Sequence, residues 1–132
     1  QTILQGWGIA PGALVQVDGS GLSRYDYVTP DSLVAILVHV YRDERLRAPF
    51  EAALPLAGRD DALVRFRGTA ADGKARAKTG SMTSVRALSG YVATADGETL
   101  VFSILANNIE GPASIMLNAT EAVVIKLAEF RR

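Results

Sequence analysis

The tetrapeptide Lys78-Thr79-Gly80-Ser81 combines residue types that can hold and polarise the carboxyl end of a peptide. Lys78 supplies a positive charge and Thr79 a neighbouring hydroxyl, so the two side chains can clamp a carboxylate. Gly80 has no Cβ, which lets another backbone approach closely. The N–H groups after it can point at an oxygen that gains negative charge, as an oxyanion hole requires. Such a strand can also bind a peptide as an added strand.

Other groups of residues suggest different chemistry, and each has a simpler interpretation. Residues 68–74 have the Gly-x-x-x-x-Gly-Lys spacing of a P-loop, but Ala75 follows where the loop needs a hydroxyl, and the next run is strand-like. His39 falls within an apolar helical stripe and is interpreted as a core or flanking histidine rather than a base. The acidic pairs Asp43-Glu44 and Asp60-Asp61 are interpreted as solvated surface, because adjacent side chains point apart.

The composition excludes several classes of protein. Fourteen basic and fourteen acidic residues among 132 cancel, so no strong field favours nucleic acid or an anionic membrane as a partner. Hydrophobic residues make up 48%, which is typical of a globular fold. The absence of cysteine excludes disulfides, thiol catalysis and cysteine-based zinc sites. No apolar run is long enough to predict a membrane-spanning helix.

The first half of the chain is predicted to contain a short strand, a loop and helices. Ala13 to Val17 favours a strand, and the glycines and serines of Asp18 to Arg24 predict an irregular loop. Thr29-Pro30-Asp31 predicts a helix start, with Thr29 as N-cap, and the helix is expected to end near residues 43–47. A short second helix is predicted from Pro49 to Leu54, followed by a loop with a helical turn near residues 60–64.

The second half changes to the two-residue period of strands. Strands are predicted at 74–82, 86–95 and 99–106, with Asp96-Gly97 as a hairpin signal between the last two. A final helix is predicted from just after Gly111-Pro112 to about Phe130. The predicted fold class is therefore α+β, with helices packed on an antiparallel meander.

Four blocks of sequence, in this order, resemble one family of enzymes. They are Val17 to Arg24 (VDGSGLSR), Leu54 to Gly58 (LPLAG), Gly73 to Met82 (GKARAKTGSM) and Leu88 to Tyr91 (LSGY). Lys-Thr-Gly belongs to the motif set of serine β-lactamases and penicillin-binding proteins. The chain resembles, over nearly its whole length, the class C penicillin-binding proteins, which are D-alanyl-D-alanine carboxypeptidases and endopeptidases of bacterial peptidoglycan.

The resemblance implies roles for particular residues. Lys78 and Thr79 are expected to engage the terminal carboxylate of the substrate, and Lys78 to tune the proton network of the site. The N–H of Ser81 is expected to form half of an oxyanion hole. The implied substrate-binding residues lie on the same strand and on the glycine-rich loop: Gly80, Met82, Ser20, Leu22 and Arg24. The alternative for the loop is a tight turn whose glycines serve only the backbone.

Two motifs of the family are missing from this sequence. No serine has a lysine three positions later, and no asparagine has a serine two positions before it, so neither Ser-x-x-Lys nor Ser-x-Asn is present. Residues 1–132 are therefore interpreted as the C-terminal part of a single DD-peptidase domain, a segment of the serine β-lactamase/transpeptidase fold. An acyl-enzyme needs a nucleophile from outside this chain.

The resemblance also implies partners and a location. The expected partners are peptidoglycan stem peptides, β-lactam antibiotics and the missing N-terminal part of the same protein, in a periplasmic enzyme without metal or organic cofactor. The alternative is a catalytically incomplete homologue that binds peptidoglycan peptides, or one that is only structural.

Overall fold

The computed structural model describes residues 2–108 and 110–132, so Gln1 and Ile109 of the predicted domain lie outside the described residues. The first half contains helices and a ribbon of two short strands, and a three-stranded meander with a closing helix fills the second half. The elements in chain order are α1 (Thr2–Gly6), β1 (Leu14–Val15), β2 (Tyr27–Val28), α2 (Pro30–Arg42), α3 (Glu44–Ala53), a 3₁₀ helix (Asp61–Phe66), β3 (Ala75–Met82), β4 (Val85–Ala93), β5 (Thr99–Ala106) and α4 (Ala113–Glu129).

The central sheet has the order β3-β4-β5, and both pairs are antiparallel, which confirms the predicted meander. The predicted connection between β3 and β4 is one residue too long, because Met82 pairs with Val85 and leaves a two-residue turn. Ser84 takes a positive φ of 58° in that turn. The predicted hairpin at Asp96-Gly97 is confirmed, with Gly97 at φ 88°, a conformation that suits glycine.

The helix after Thr29 begins as predicted. The Thr29 hydroxyl accepts a hydrogen bond from the Ser32 N–H at 3.2 Å, and Pro30 fills the first helical turn. The prediction of a second helix at 49–54 is wrong about its start, since α3 already begins at Glu44. Asp43 caps α3 by accepting from the Arg45 N–H at 2.9 Å, so the charged cluster belongs mostly to a new helix.

The N-terminal part adds two elements that the sequence pattern did not predict, α1 and β2. Leu14 pairs with Val28 in a two-stranded ribbon, and the loop between the strands carries the glycine-rich motif. Ala13 O accepts from the Thr29 N–H and the Ser32 hydroxyl, each at 3.2 Å. These contacts fix the ribbon to the start of α2.

The two faces of the sheet are covered by different helices. Residues alternate between the faces. On one face, α4 packs on β4 through Val124 and Ala128. On the other face, α2 packs mainly on β5, and Leu37 and Leu54 surround the buried Tyr91. The larger core lies on the α4 face, and its buried members are Ala57, Leu63, Phe66, Ala71, Ala75, Ala77, Leu88, Val92, Phe102, Val124 and Ala128.

Candidate active site

The strand that carries Lys-Thr-Gly lies at the edge of the central sheet. A short segment pairs with its first residues: the Ala57 N–H donates to Ala75 O at 2.9 Å, and the Ala77 N–H donates to Pro55 O at 3.1 Å. These bonds point away from β4, so they identify which backbone groups of β3 face outward. In an antiparallel ladder this direction alternates with every residue.

The alternation places the backbone N–H and C=O groups of Thr79 and Ser81 on the same outer edge. Pro55 has no N–H and cannot return a hydrogen bond to Ala77 O, so the pairing segment stops there. Among the described residues, no other segment pairs with β3 beyond Ala77 on this side. An open row of hydrogen-bonding groups therefore begins next to Lys78.

The side chains of Lys78 and Thr79 lie on opposite faces of the sheet, next to the open edge. Lys78 is exposed, shares the face of Tyr91, and its Nζ donates to Thr79 O at 2.5 Å. Thr79 is half-buried and shares the opposite face with Leu88. Because neighbouring side chains on a strand point to opposite faces, a single carboxylate can meet both only at the open edge.

Gly80 and Met82 contact the neighbouring strand. A Cβ on Gly80 would lie 3.1 Å from the Cβ of Ala87, which gives this glycine a packing role besides the predicted one. Met82 is half-buried at the end of β3, and its carbonyl accepts from Arg86 Nη1 at 2.8 Å. Arg86 Nη1 also reaches Val85 O at 2.8 Å, so this guanidinium fastens the turn after the site.

The predicted binding loop is an ordered turn held by its own side chains. Asp18 Oδ1 accepts from the Ser20 N–H at 2.8 Å and from the Ser20 hydroxyl at 2.7 Å, and Ser20 Oγ accepts from the Leu22 N–H at 3.1 Å. The hydrogen bond from the Ser20 side chain, followed by that from its backbone, lowers the pKa of Asp18. Leu22 and Arg24 are exposed.

The loop and the edge strand are anchored to different parts of the fold. The loop is held through β1 and β2 to the start of α2, while β3 is held to β4 and to residues 54–57. Within residues 2–108 and 110–132 no hydrogen bond joins the two. The assignment of Ser20, Leu22 and Arg24 to the same site as Lys78 stays a prediction.

Two residues that support this region were missed by the sequence reasoning. Arg76 is half-buried, and its Nη1 donates to Leu54 O at 3.0 Å and to Glu51 O at 3.3 Å, which ties the end of α3 to β3. The Tyr91 hydroxyl donates to Leu37 O at 2.8 Å, and burial raises the pKa of Tyr91 to about 12. Both act through backbone carbonyls of distant segments, which no local motif indicates.

The remaining candidates lie apart from this edge. His39 is half-buried and stacks on Trp7 with ring centroids 4.1 Å apart, as a flanking histidine of α2. In the described part of the chain, no group of three or more His, Cys, Asp or Glu residues could hold a metal ion. No described helix is long and apolar enough to cross a membrane.

The fold, with its open Lys-Thr-Gly edge, is that of the penicillin-binding DD-peptidases. The structure of penicillin-binding protein 4 from Haemophilus influenzae, complexed with a β-lactam, aligns with a TM-score of 0.83 and 25% identity. The alignment covers 98% of this chain and 32% of that one. The chain belongs to the D-Ala-D-Ala carboxypeptidase 3 (S13) family, whose model matches residues 1–129.

Curated relatives give the same assignment. The chain is 43% identical to a D-alanyl-D-alanine carboxypeptidase of Actinomadura sp. (strain R39), over 96% of this chain and 24% of the relative. It is 37% identical to the penicillin-sensitive carboxypeptidase A of Dictyostelium discoideum, over 87% of this chain and 23% of the relative. The chain thus spans about a quarter of the length of the relatives it matches.

Proposed function

We propose that this chain forms one wall of the active site of a serine D-alanyl-D-alanine carboxypeptidase or endopeptidase. The observation that carries the proposal is the open edge of β3, where a lysine side chain occurs together with the unpaired backbone N–H groups of Thr79 and Ser81. This edge suits a peptide that binds as an added strand and ends in a carboxylate. Family membership and the relatives' names support the same reaction.

In the proposed reaction, a serine from outside these residues attacks the carbonyl of the penultimate D-alanine. A bond forms between the serine oxygen and the carbonyl carbon, the C–N bond breaks, and the departing amine takes a proton. Water then cleaves the acyl-enzyme. Lys78 and Thr79 hold the substrate carboxylate, and the Ser81 N–H donates to the oxygen that carries developing negative charge. No metal or organic cofactor is required.

The same proposal extends to the substrate-binding residues, the reaction with β-lactams, the location and the partners. Met82 and Gly80 lie on β3, and Ser20, Leu22 and Arg24 on the β1–β2 loop; together they are proposed to contact the substrate stem peptide. β-Lactams are proposed to acylate the same serine, as the β-lactam complex of the Haemophilus influenzae protein suggests. The proposed location is the periplasm, and the proposed partners of the chain include an N-terminal part of the same protein.

The decisive experiment uses the complete protein and a labelled penicillin. Lys78→Ala is expected to slow acylation about 100-fold, because it removes a charge from the site of the reaction. Lys74→Ala is the matched control: Lys74 is an exposed lysine just before the same strand, and its loss is expected to leave the rate unchanged. Acylation of Lys78→Ala within twofold of the wild-type rate would contradict the proposal.

A second candidate is binding without cleavage, because the open edge of β3 can hold a peptide as an added strand without any nucleophile. A complete protein that retains a peptide ending in D-Ala-D-Ala without releasing D-alanine would support it. The 132-residue chain alone, incubated with labelled penicillin, is expected to gain no mass in either case. Covalent labelling of that chain would show that it contains a nucleophile after all.

A further inference from the structure

Three polar side chains form a single row across the central sheet beside the candidate site. Lys78 pairs with Ser89 on β4, and Ser89 pairs with Ser103 on β5, so all three project from the same face. The flanking rows on this face are Arg76, Tyr91 and Val101 toward one end of the sheet, and Gly80, Ala87 and Leu105 toward the other.

The two serines are bonded to each other but keep hydrogen-bonding capacity. Their Oγ atoms lie 2.9 Å apart, and both residues are half-buried. That bond uses one hydroxyl proton, so the pair retains a second proton and free lone pairs. Among the described residues, neither hydroxyl has another partner. A half-buried hydroxyl group is stabilised by an additional hydrogen bond, so the serine pair is suited to accept one from a nearby donor group.

Lys78 Nζ occupies a backbone acceptor on the open edge that a bound peptide would also use. Its Nζ now donates to Thr79 O, one of the backbone groups that face the open edge. A peptide that adds to this edge presents its own N–H groups to such carbonyls. The ammonium group carries three donor protons, so once it leaves Thr79 O it can donate to a second acceptor besides the substrate carboxylate. Directly opposite residues in an antiparallel pair have Cβ atoms about 5 Å apart, a distance that the lysine side chain can bridge.

We infer that Ser89 is a positioning residue for Lys78, an inference that rests on the proposed function. When substrate occupies the edge, Ser89 Oγ accepts a hydrogen bond from Lys78 Nζ and holds the charge beside the reacting groups. Ser103 orients the Ser89 hydroxyl through their mutual bond, so that a lone pair of Ser89 faces the lysine. Ser89 itself does not touch the substrate in this arrangement.

The test measures release of D-alanine from a peptide ending in D-Ala-D-Ala by the complete protein. Ser89→Ala is expected to lower kcat about 10-fold with KM within about twofold, because it removes one hydrogen bond to a charged group. Ser89→Thr, which keeps the hydroxyl, is expected to restore kcat to within about threefold of wild type. Ser103→Ala is expected to have an effect smaller than that of Ser89→Ala.

Control variants distinguish a failure of the proposed function from a failure of the inference about Ser89. Ser114→Ala, at an exposed position on α4, is expected to leave kcat, KM and the melting temperature unchanged. A wild-type protein that releases no D-alanine, or a Lys78→Ala variant with full activity, would overturn the proposed function and this inference with it. If Lys78→Ala is impaired while Ser89→Ala matches wild type, the inference alone fails. It also fails if Ser89→Thr is as impaired as Ser89→Ala, since the effect would then be one of packing.

Discussion

Gly90 is the position where one added methyl group is expected to do the most damage to the candidate site. It lies in the middle of β4, opposite Ala77 of β3, and it is buried. A Cβ at this position would lie 2.1 Å from Arg76 O and 2.7 Å from Ala77 Cα. Both neighbours are backbone atoms, which cannot rotate away as a flexible side chain could.

The size of the effect follows from these distances. A Cβ requires about 3 Å or more from such atoms, so β3 must move by roughly 1 Å relative to β4. Movement of that size strains the hydrogen bonds to β4 on either side of Ala77, at Arg76 and Lys78. Overpacking of this kind costs typically about 1–3 kcal/mol. Because backbone rather than side chain must move, we expect Gly90→Ala to lower the free energy of unfolding by about 3 kcal/mol.

Urea unfolding of the complete protein measures this change against two glycine controls. A Cβ on Gly19 would meet no neighbouring atom within 4 Å, and Gly19 has no positive φ, so Gly19→Ala is expected to change stability by less than about 0.5 kcal/mol. Gly80→Ala meets one side-chain atom at 3.1 Å and is expected to cost about 1 kcal/mol. A Gly90→Ala variant within about 0.5 kcal/mol of Gly19→Ala would refute the reasoning about backbone contact.

Three further changes test other parts of the fold. Tyr91→Phe removes a buried hydroxyl and its hydrogen bond to the Leu37 carbonyl on α2, so urea titration is expected to show a loss of about 1–2 kcal/mol in the free energy of unfolding. Because burial raises the pKa of Tyr91 from 10.0 to about 12, wild-type stability is expected to fall as pH rises through this window, and the Phe variant to lack that fall. Thr29→Ala removes the cap of α2 and is expected to lower the free energy of unfolding by about 1 kcal/mol. Asp18→Ala removes the carboxylate that holds the Ser20 turn, so trypsin is expected to cleave after Arg24 faster than in wild type, at neutral pH.

Each of these expectations has a result that contradicts it. Equal slopes of stability against pH in wild type and Tyr91→Phe would show that this tyrosine does not titrate as expected. A Thr29→Ala variant as stable as wild type would mean that the cap is replaced by another group or by water. Unchanged trypsin cleavage in Asp18→Ala would show that the loop is held by contacts other than its own carboxylate.

The sequence predicted those elements whose signals are local. Thr29 before Pro30 indicated the start of α2, and the structure has this cap bond. Asp96-Gly97 indicated the β4–β5 hairpin, because glycine readily takes the positive φ that this turn requires. The period of two in residues 74–106 predicted the meander, since its strands are neighbours in sequence as well as in space.

Features that depend on distant residues were not predictable in the same way. The sequence predicted a second helix only from Pro49, yet the Asp43 cap begins the helix five residues earlier, at Glu44. β2 has two residues and exists through its pairing with β1, so no periodicity could indicate it. The contact of Arg76 with the end of α3 joins residues more than twenty positions apart.

The open edge beside Lys78 depends on where the neighbouring segment stops, and Pro55 sets that point. In an antiparallel pair, the residues opposite each other in a hydrogen-bonded pair exchange two bonds. Pro55 accepts from the Ala77 N–H but has no N–H to give to Ala77 O. The ladder is therefore cut one residue before Lys78, and the backbone N–H groups of Thr79 and Ser81 remain available to a ligand. The Leu54-Pro55 block and the Lys-Thr-Gly block, far apart in sequence, thus define the same edge from opposite sides.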